Sequence, residues 1–264
     1  MSPGEDKFYR ATIVERRDFA QDLWTMRVSP GGDFSFKPGQ YATLGVITPA
    51  KHIERAYSIV SAPGDPLVEF FLELVPHGEL TPHLHKLQIG DTVTFRKVAK
   101  GRFTLDADSG RTNHLLLATV TGIAPFVSYI RSLRQQRQDG GMTGRQKLFV
   151  IEGASRSWEF GYRHEIEPIA AQAPWLKYVT SISRPWEDAA WKGEVGRVDD
   201  IVRKYTDLWG LTPETTTAYL CGHPLMIESC KAILKRCGWQ KEAMREEIYF
   251  IPGKHLTVDS SDSL

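Results

Sequence analysis

Cysteine is scarce in this chain: there are three in 264 residues, and Cys221, Cys230 and Cys237 all lie late, none in a CxxC pair. A four-thiolate iron–sulfur cluster is thereby excluded and a structural zinc site is not expected. So few thiols fit a reducing compartment, and the expected location is cytoplasmic. An excess of charge of one sign is missing too, with 33 basic against 32 acidic side chains and a formal net charge of +1. That balance gives no reason to expect nucleic acid or a membrane surface as partner. The longest apolar run, Leu115 to Val120, is far too short to cross a bilayer. The opening residues Met1 to Lys7 are acidic and broken by Pro3 and Gly4, so they form no signal-peptide core. No GxGxxG fingerprint occurs, and no Ser/His/Asp order or carboxylate pair suggests hydrolysis.

What is present is ordinary globular composition, 41% hydrophobic and 25% charged, in a length that suits one large or two ordinary domains. Up to about residue 108 the chain reads as short strands between turns. These are Phe8–Glu15, Leu23–Val28, Tyr41–Val46, Arg55–Val60, Val68–Val75 and Thr92–Val98, rich in Val, Ile, Tyr, Phe and Thr. The spacing predicts an antiparallel β-barrel, interrupted by one short helix, Pro82–Leu87, with Thr81 as its N-cap. From about residue 114 strands alternate with helices: strands at His114–Val120, Leu148–Gly153, Leu176–Ser183, Thr217–Cys221 and Glu246–Phe250, and helices at Pro125–Arg137, Glu159–Ala171, Arg197–Tyr205 and Pro224–Arg236. That alternation predicts an α/β domain with a doubly wound parallel sheet. The expected division is a barrel domain at 1–110, an α/β domain at 111–250 and an extension at 251–264.

Four constellations carry chemistry. In Arg55-Ala56-Tyr57-Ser58 a guanidinium can hold a diphosphate, an aromatic can lie against a planar ring and a hydroxyl can reach a ring nitrogen. Taken alone it is equally an ordinary strand with a snorkelling arginine. Gly78-Glu79-Leu80-Thr81 is a glycine turn feeding a helix start, a pattern that also serves capping alone. Val120-Thr121-Gly122-Ile123-Ala124-Pro125 lies at the carboxyl end of the first parallel strand, where doubly wound sheets bind nucleotides. Cys221-Gly222-His223-Pro224 is a second strand end opening a helix, where Cys221 alone reads as a small buried thiol. His83 and His85 point to different sides of a short helix, and no metal site is expected.

In this order the four resemble the bacterial-type ferredoxin–NADP(+) reductases, over roughly residues 8–250. RAYS resembles that family's flavin motif, VEFFLELVPHGELTPHL its isoalloxazine- and diphosphate-binding segment, VTGIAPF its nicotinamide-side GTGIAP turn, YLCGHPLM its CG-x-P segment and EEIYF its terminal E-x-Y-aromatic stretch. The resemblance implies a flavoprotein using FAD and NADP(H), with ferredoxin or flavodoxin as electron partner. It places Arg55, Ala56, Tyr57, Ser58, Phe71, Leu72, Glu73, Glu79, Leu80, Thr81, Thr121, Tyr249 and Phe250 around FAD. Ser155, Arg156, Ser183, Arg184, Arg197, Gly222 and Pro224 would hold NADP, the three arginines gripping the 2′-phosphate, while Ser58, Cys221, Glu247 and Tyr249 would form the catalytic centre. Two departures stand out. Val120 replaces the first glycine of GTG, where a positive φ is costly, so a differently shaped turn is expected. The chain also runs fourteen residues past Phe250, where related plant and some bacterial proteins stop at an aromatic. The rival readings are a reductase subunit feeding an oxygenase or another acceptor, and a non-catalytic flavin- or nucleotide-binding regulator.

Overall fold

The structure, a computed structural model, describes residues 7–138 and 145–248. Its first half contains strands β1 (Phe8–Ala20), β2 (Leu23–Ser29), β3 (Tyr41–Ile47), β4 (His52–Ser58), β5 (Val68–Glu73) and β6 (Thr92–Arg96), with helix α1 (Thr81–Lys86) before β6. These strands form one antiparallel sheet in the order β4-β3-β6-β1-β2-β5. Val60, just past β4, donates to the Glu69 carbonyl of β5 at 2.9 Å. This brings the two ends of the sheet together, as the expected barrel requires. Period-two alternation places Ile13, Trp24, Met26, Leu44, Phe70 and Phe95 inside, all buried.

Some bounds shift, as in β4, which runs His52–Ser58 rather than Arg55–Val60, and two further differences have a clear physical cause. Strand β1 continues past Glu15 to Ala20, because register shifts between Ile13 and Glu15 and between Asp18 and Ala20 keep it paired with β2. Such bulges break the alternation on which a strand is recognised. Helix α1 starts at Thr81 with Leu80 as its N-cap. The Thr81 hydroxyl instead accepts from Val75 N at 3.0 Å and donates to Val75 O at 3.2 Å, clamping the turn that precedes the helix.

The second half runs β7 (Asn113–Thr119), α2 (Ala124–Gln138), β8 (Lys147–Ala154), α3 (Arg163–Gln172), β9 (Leu176–Ile182), β10 (Glu194–Val195), α4 (Val198–Leu208), β11 (Thr216–Gly222), α5 (Pro224–Arg236) and β12 (Met244–Ile248). The order β10-β9-β8-β7-β11-β12 is parallel throughout. Leu116, Leu148 and Val150 face α2 and α3 on one side. Leu115, Leu117 and Ile151 face α4 and α5 on the other. This is the doubly wound arrangement. The helix expected from Glu159 begins only at Arg163, after a single 3₁₀ turn at Ser157–Glu159. Gly161 is the reason: a Cβ there would come within 2.6 Å of the Phe71 ring, so the chain passes flat against the barrel before coiling. The two-residue β10 escapes any periodicity test. Among the described residues no helix is long and apolar enough to cross a membrane, and no group of three or more His, Cys, Asp or Glu could hold a metal ion.

The halves share a core. Leu23, Val60 and Phe71 of the barrel pack in one cluster with Phe126, Ile130 and Tyr162 of the α/β half. A polar lock lies beside it. Arg131 of α2 donates to Glu69 of β5 at 2.7 Å, to Glu165 of α3 at 2.8 and 2.7 Å, and to the Val60 carbonyl at 3.4 Å. Tyr162 adds a 2.8 Å bond to the other oxygen of Glu69, which is 8% exposed. Removing one member of a buried pair leaves its partner desolvated and uncompensated. Arg131→Met should therefore lower stability by about 2–4 kcal/mol in urea titration, and adding Glu69→Gln should restore part of the loss. A variant as stable as the parent would show that the Arg131 ion pairs add nothing to the joining of the halves.

Candidate active site

On the barrel side the site is built from β4, an edge strand of its sheet. Arg55 and Tyr57 share one face and are half-buried, while Ala56 is exposed and Ser58 is buried. Arg55 Nη2 and Lys51 Nζ both donate to the Glu79 carboxylate, and Arg55 Nη1 donates to the Glu54 carbonyl at 2.6 Å. The end of β4 and the Gly78–Thr81 turn, 24 residues apart across the Arg55–Glu79 pair, thus meet at one cationic mouth. Burial pushes the Tyr57 hydroxyl up, partly offset by Arg55, so the ring stays neutral. Phe71 and Leu72, expected beside the cofactor ring, turn their side chains inward. Their side chains are 4% and 1% exposed, and Phe71 meets Phe19 and Tyr162 edge to face at 5.7 and 5.3 Å. Both pack in the core; of that segment only Glu73 is exposed.

On the α/β side, the 3₁₀ turn Val120–Ile123 carries β7 into α2. Val120 is the only described non-glycine residue with positive φ, at 44°. It therefore takes the left-handed backbone that its side chain disfavours, at a cost of about 1–2 kcal/mol. The neighbouring loop enforces this geometry. A Cβ on Gly122 would lie 2.2 Å from the Cys221 carbonyl oxygen, and Gly222, with φ +123°, leaves no room for one against Thr119. Thr119 Oγ1 accepts from His223 N at 2.8 Å, stapling the two strand ends. Thr121 is half-buried on this turn, and Pro224 opens α5 behind His223, whose Nδ1 accepts from Leu225 N at 3.2 Å.

The two sides touch where Ser58 Oγ donates to Glu247 Oε2 at 3.4 Å, a contact spanning 189 residues. Glu247 pairs in register with Cys221 across β11 and β12, and Cys221 is fully buried. Burial pushes the Glu247 carboxyl up to about 7, with the Ser58 hydrogen bond pulling the other way. Ser58, Cys221 and Glu247 are therefore neighbours, whereas Tyr249 and Phe250 lie outside the described residues.

At the carboxyl edge of the parallel sheet, Ser183 N and Arg184 N donate to the carbonyls of Ala154 and Ser155, each at 3.0 Å, so the loops after β8 and β9 run side by side. Ser155 N donates to Glu159 Oε2 at 2.8 Å. Arg156 Nε donates to Glu187 at 2.6 Å, and Arg156 Nη1 donates to Glu159 at 3.1 Å. Arg184 Nη1 lies 3.6 Å from the other oxygen of Glu187. Arg197 caps α4, where its backbone N donates to Asp200 at 2.7 Å, and it is exposed. Sequence reasoning found the arginines and missed Glu187 and Lys51. An acid three residues after Arg184 was the available signal, but charge spacing alone does not tell a clamp from a solvated face.

Residues 11–104 match the family described as oxidoreductase FAD-binding domain, and residues 116–232 match the oxidoreductase NAD-binding domain. The chain is a flavoprotein oxidoreductase. It is 31% identical over 237 residues to ferredoxin–NADP reductase B of Sorangium cellulosum, covering 88% of each chain. It is 28% identical over 267 residues to ferredoxin–NADP reductase A of the same organism, covering 97% of this chain and 90% of that one. A solved ferredoxin NADP+ reductase from Neisseria gonorrhoeae, crystallised with FAD and NADP, shares the fold with a TM-score of 0.79 at 24% identity, over 92% of this chain and 99% of that one. The chain belongs to the ferredoxin–NADP reductase family.

The donor set fits a flavin dinucleotide: Lys51 and Arg55 supply two cations at the mouth, and Tyr57 offers a half-buried aromatic beside them. The pH response of Glu247 can be derived from its raised pKa. A carboxyl raised in the folded state binds its proton more tightly there than in the unfolded chain. Its stabilising contribution is complete below the ordinary carboxylate value and is lost as pH rises through about 7. Glu247→Gln, neutral throughout, should gain about 1–3 kcal/mol relative to the parent between pH 5 and 8, measured by denaturation at each pH. A gap that does not change with pH would place Glu247 in contact with water.

Proposed function

We propose that this protein takes hydride from NADPH and passes electrons singly to a ferredoxin or flavodoxin. The observation that carries the reading is the Ser58–Glu247 contact beside Cys221, where the barrel strand bearing Arg55 and Tyr57 meets the carboxyl end of the parallel sheet. FAD, when bound, accepts the hydride pair and releases electrons one at a time. Arg55 and Lys51 hold its diphosphate, with Leu80 and Thr81 shaping the turn beside them. Tyr57 would offer its aromatic face to the ring system, and Thr121 would serve the nicotinamide side. Glu247 accepts a hydrogen bond from Ser58 Oγ, and burial holds its carboxyl up to about 7, so the reacting edge meets a carboxyl that exchanges its proton around neutral pH. Cys221 and Gly222, at the carboxyl end of β11, border the nicotinamide. The barrel at 1–110 is the flavin domain and 111–250 the nicotinamide domain, with 251–264 following as an extension in the sequence.

Arg156, Arg184 and Arg197 select the phosphorylated dinucleotide, because guanidinium pairs match a dianionic phosphate and a bare ribose needs none of them. A second reading, a reductase component serving an oxygenase, draws support from the xylene/toluene monooxygenase electron transfer component of Pseudomonas putida. It is 27% identical over 91% of this chain, although this chain spans only 65% of that protein. Arg184→Ala tests the cofactor assignment with ferricyanide as acceptor. The expected loss in kcat/KM for NADPH is roughly ten- to a hundredfold, with NADH little changed. Equal losses for both would mean that Arg184 supports the fold or the shared diphosphate.

A further inference from the structure

The two arginines that converge after β8 and β9 already hold an anion of the chain's own. Glu187 lies in the short 3₁₀ turn Pro185–Glu187 directly behind Arg184. One of its oxygens accepts from Arg156 Nε at 2.6 Å, and the same oxygen pairs with Arg156 Nη2. Its other oxygen lies 3.6 Å from Arg184 Nη1. One carboxylate therefore bridges two guanidiniums that belong to different strand-end loops. Glu159 holds Arg156 from a second side at 3.1 Å and is itself bound to the backbone of Ser155, so it fixes the arginine in place. Among the described residues the Glu187 carboxylate has no such tie to backbone, only its contacts with the two arginines. The side chains of Arg184 and Glu187 are 48% and 34% exposed, so an incoming anion can reach the bridge.

We propose that Glu187 tunes cofactor specificity by occupying the place of the adenosine 2′-phosphate: a phosphate must displace its carboxylate from Arg156 and Arg184, and a bare ribose need not. The inference rests on the preceding reading that these arginines take that phosphate. Two consequences follow from charge alone. Without the phosphate, Glu187 keeps two like-charged guanidiniums together and ordered. When a dianion arrives, the same carboxylate competes for the donors and repels the ligand, narrowing the preference for the phosphorylated dinucleotide. Glutamine is nearly isosteric and still accepts a hydrogen bond, so Glu187→Gln removes the charge while keeping the turn.

The experiment is isothermal titration calorimetry of the flavin-loaded protein with 2′-phospho-AMP and with AMP, for the parent, Glu187→Gln and Arg184→Ala. It reads binding without turnover. Glu187→Gln should bind 2′-phospho-AMP roughly three- to tenfold more tightly with AMP unchanged, the exposed pairs setting the low end. Arg184→Ala should lose the preference for 2′-phospho-AMP. Equal or weaker binding of 2′-phospho-AMP by Glu187→Gln, with the preference lost in Arg184→Ala, would overturn the competitor role and leave the cofactor reading standing. No preference in the parent and no change in either variant would overturn both.

Discussion

The geometry of the seam depends on where α2 lies against the barrel, and Arg131 sets that position. Its guanidinium reaches Glu69 and the Val60 carbonyl on one side and Glu165 on the other. Val60 is two residues past Ser58, so the arginine that locks the halves also sets how Ser58 faces the parallel sheet. Ser128, one turn earlier on α2, donates to the Ser61 carbonyl at 2.7 Å, and the Tyr129 hydroxyl donates to the Phe103 carbonyl. Three side chains of one helix thus hold barrel backbone. The contact between Ser58 and Glu247 follows from that register. Such a lock is costly to desolvate and ruinous to halve, which gives the seam one arrangement and few alternatives.

Most of the architecture was legible from periodicity. The six barrel strands and the strand–helix alternation announce themselves through branched and aromatic residues at period two, then through apolar runs long enough to be buried on both faces. What escaped was decided by contacts distant in sequence. The late start of α3 comes from the Phe71 ring pressing on Gly161, a neighbour 90 positions away in the chain. The prolongation of β1 rests on bulges against β2, and the true cap of α1 on the Thr81 hydroxyl turning back to Val75. Local propensity contains none of these facts.

The site was legible as a set of residue types and much less as a charge arrangement. Ser58, Cys221 and Glu247 come together in the structure, while Phe71 and Leu72 are buried on opposite faces of β5, Leu72 in the barrel core and Phe71 in the core the halves share. Each proposed phosphate-binding place also contains a carboxylate that sequence reasoning had not paired with it: Glu79 with Arg55 and Lys51, and Glu187 with Arg156 and Arg184. While no ligand is bound, the nearby acid pairs with these guanidiniums, at the modest strength of an exposed ion pair. Val120 makes a related point. A valine at the turn after β7 makes a positive φ costly, and the close approach of Gly122 to Cys221 holds the turn and places that strain on the valine.

The central claim is that the barrel and the parallel sheet hold a flavin and a nicotinamide on either side of one seam. Anaerobic titration of the flavin-loaded protein with NADPH, followed by visible absorbance, tests it directly. The account predicts that the yellow flavin bands bleach with about one equivalent of NADPH, faster than with NADH. A protein that stays yellow with excess NADPH would contradict it.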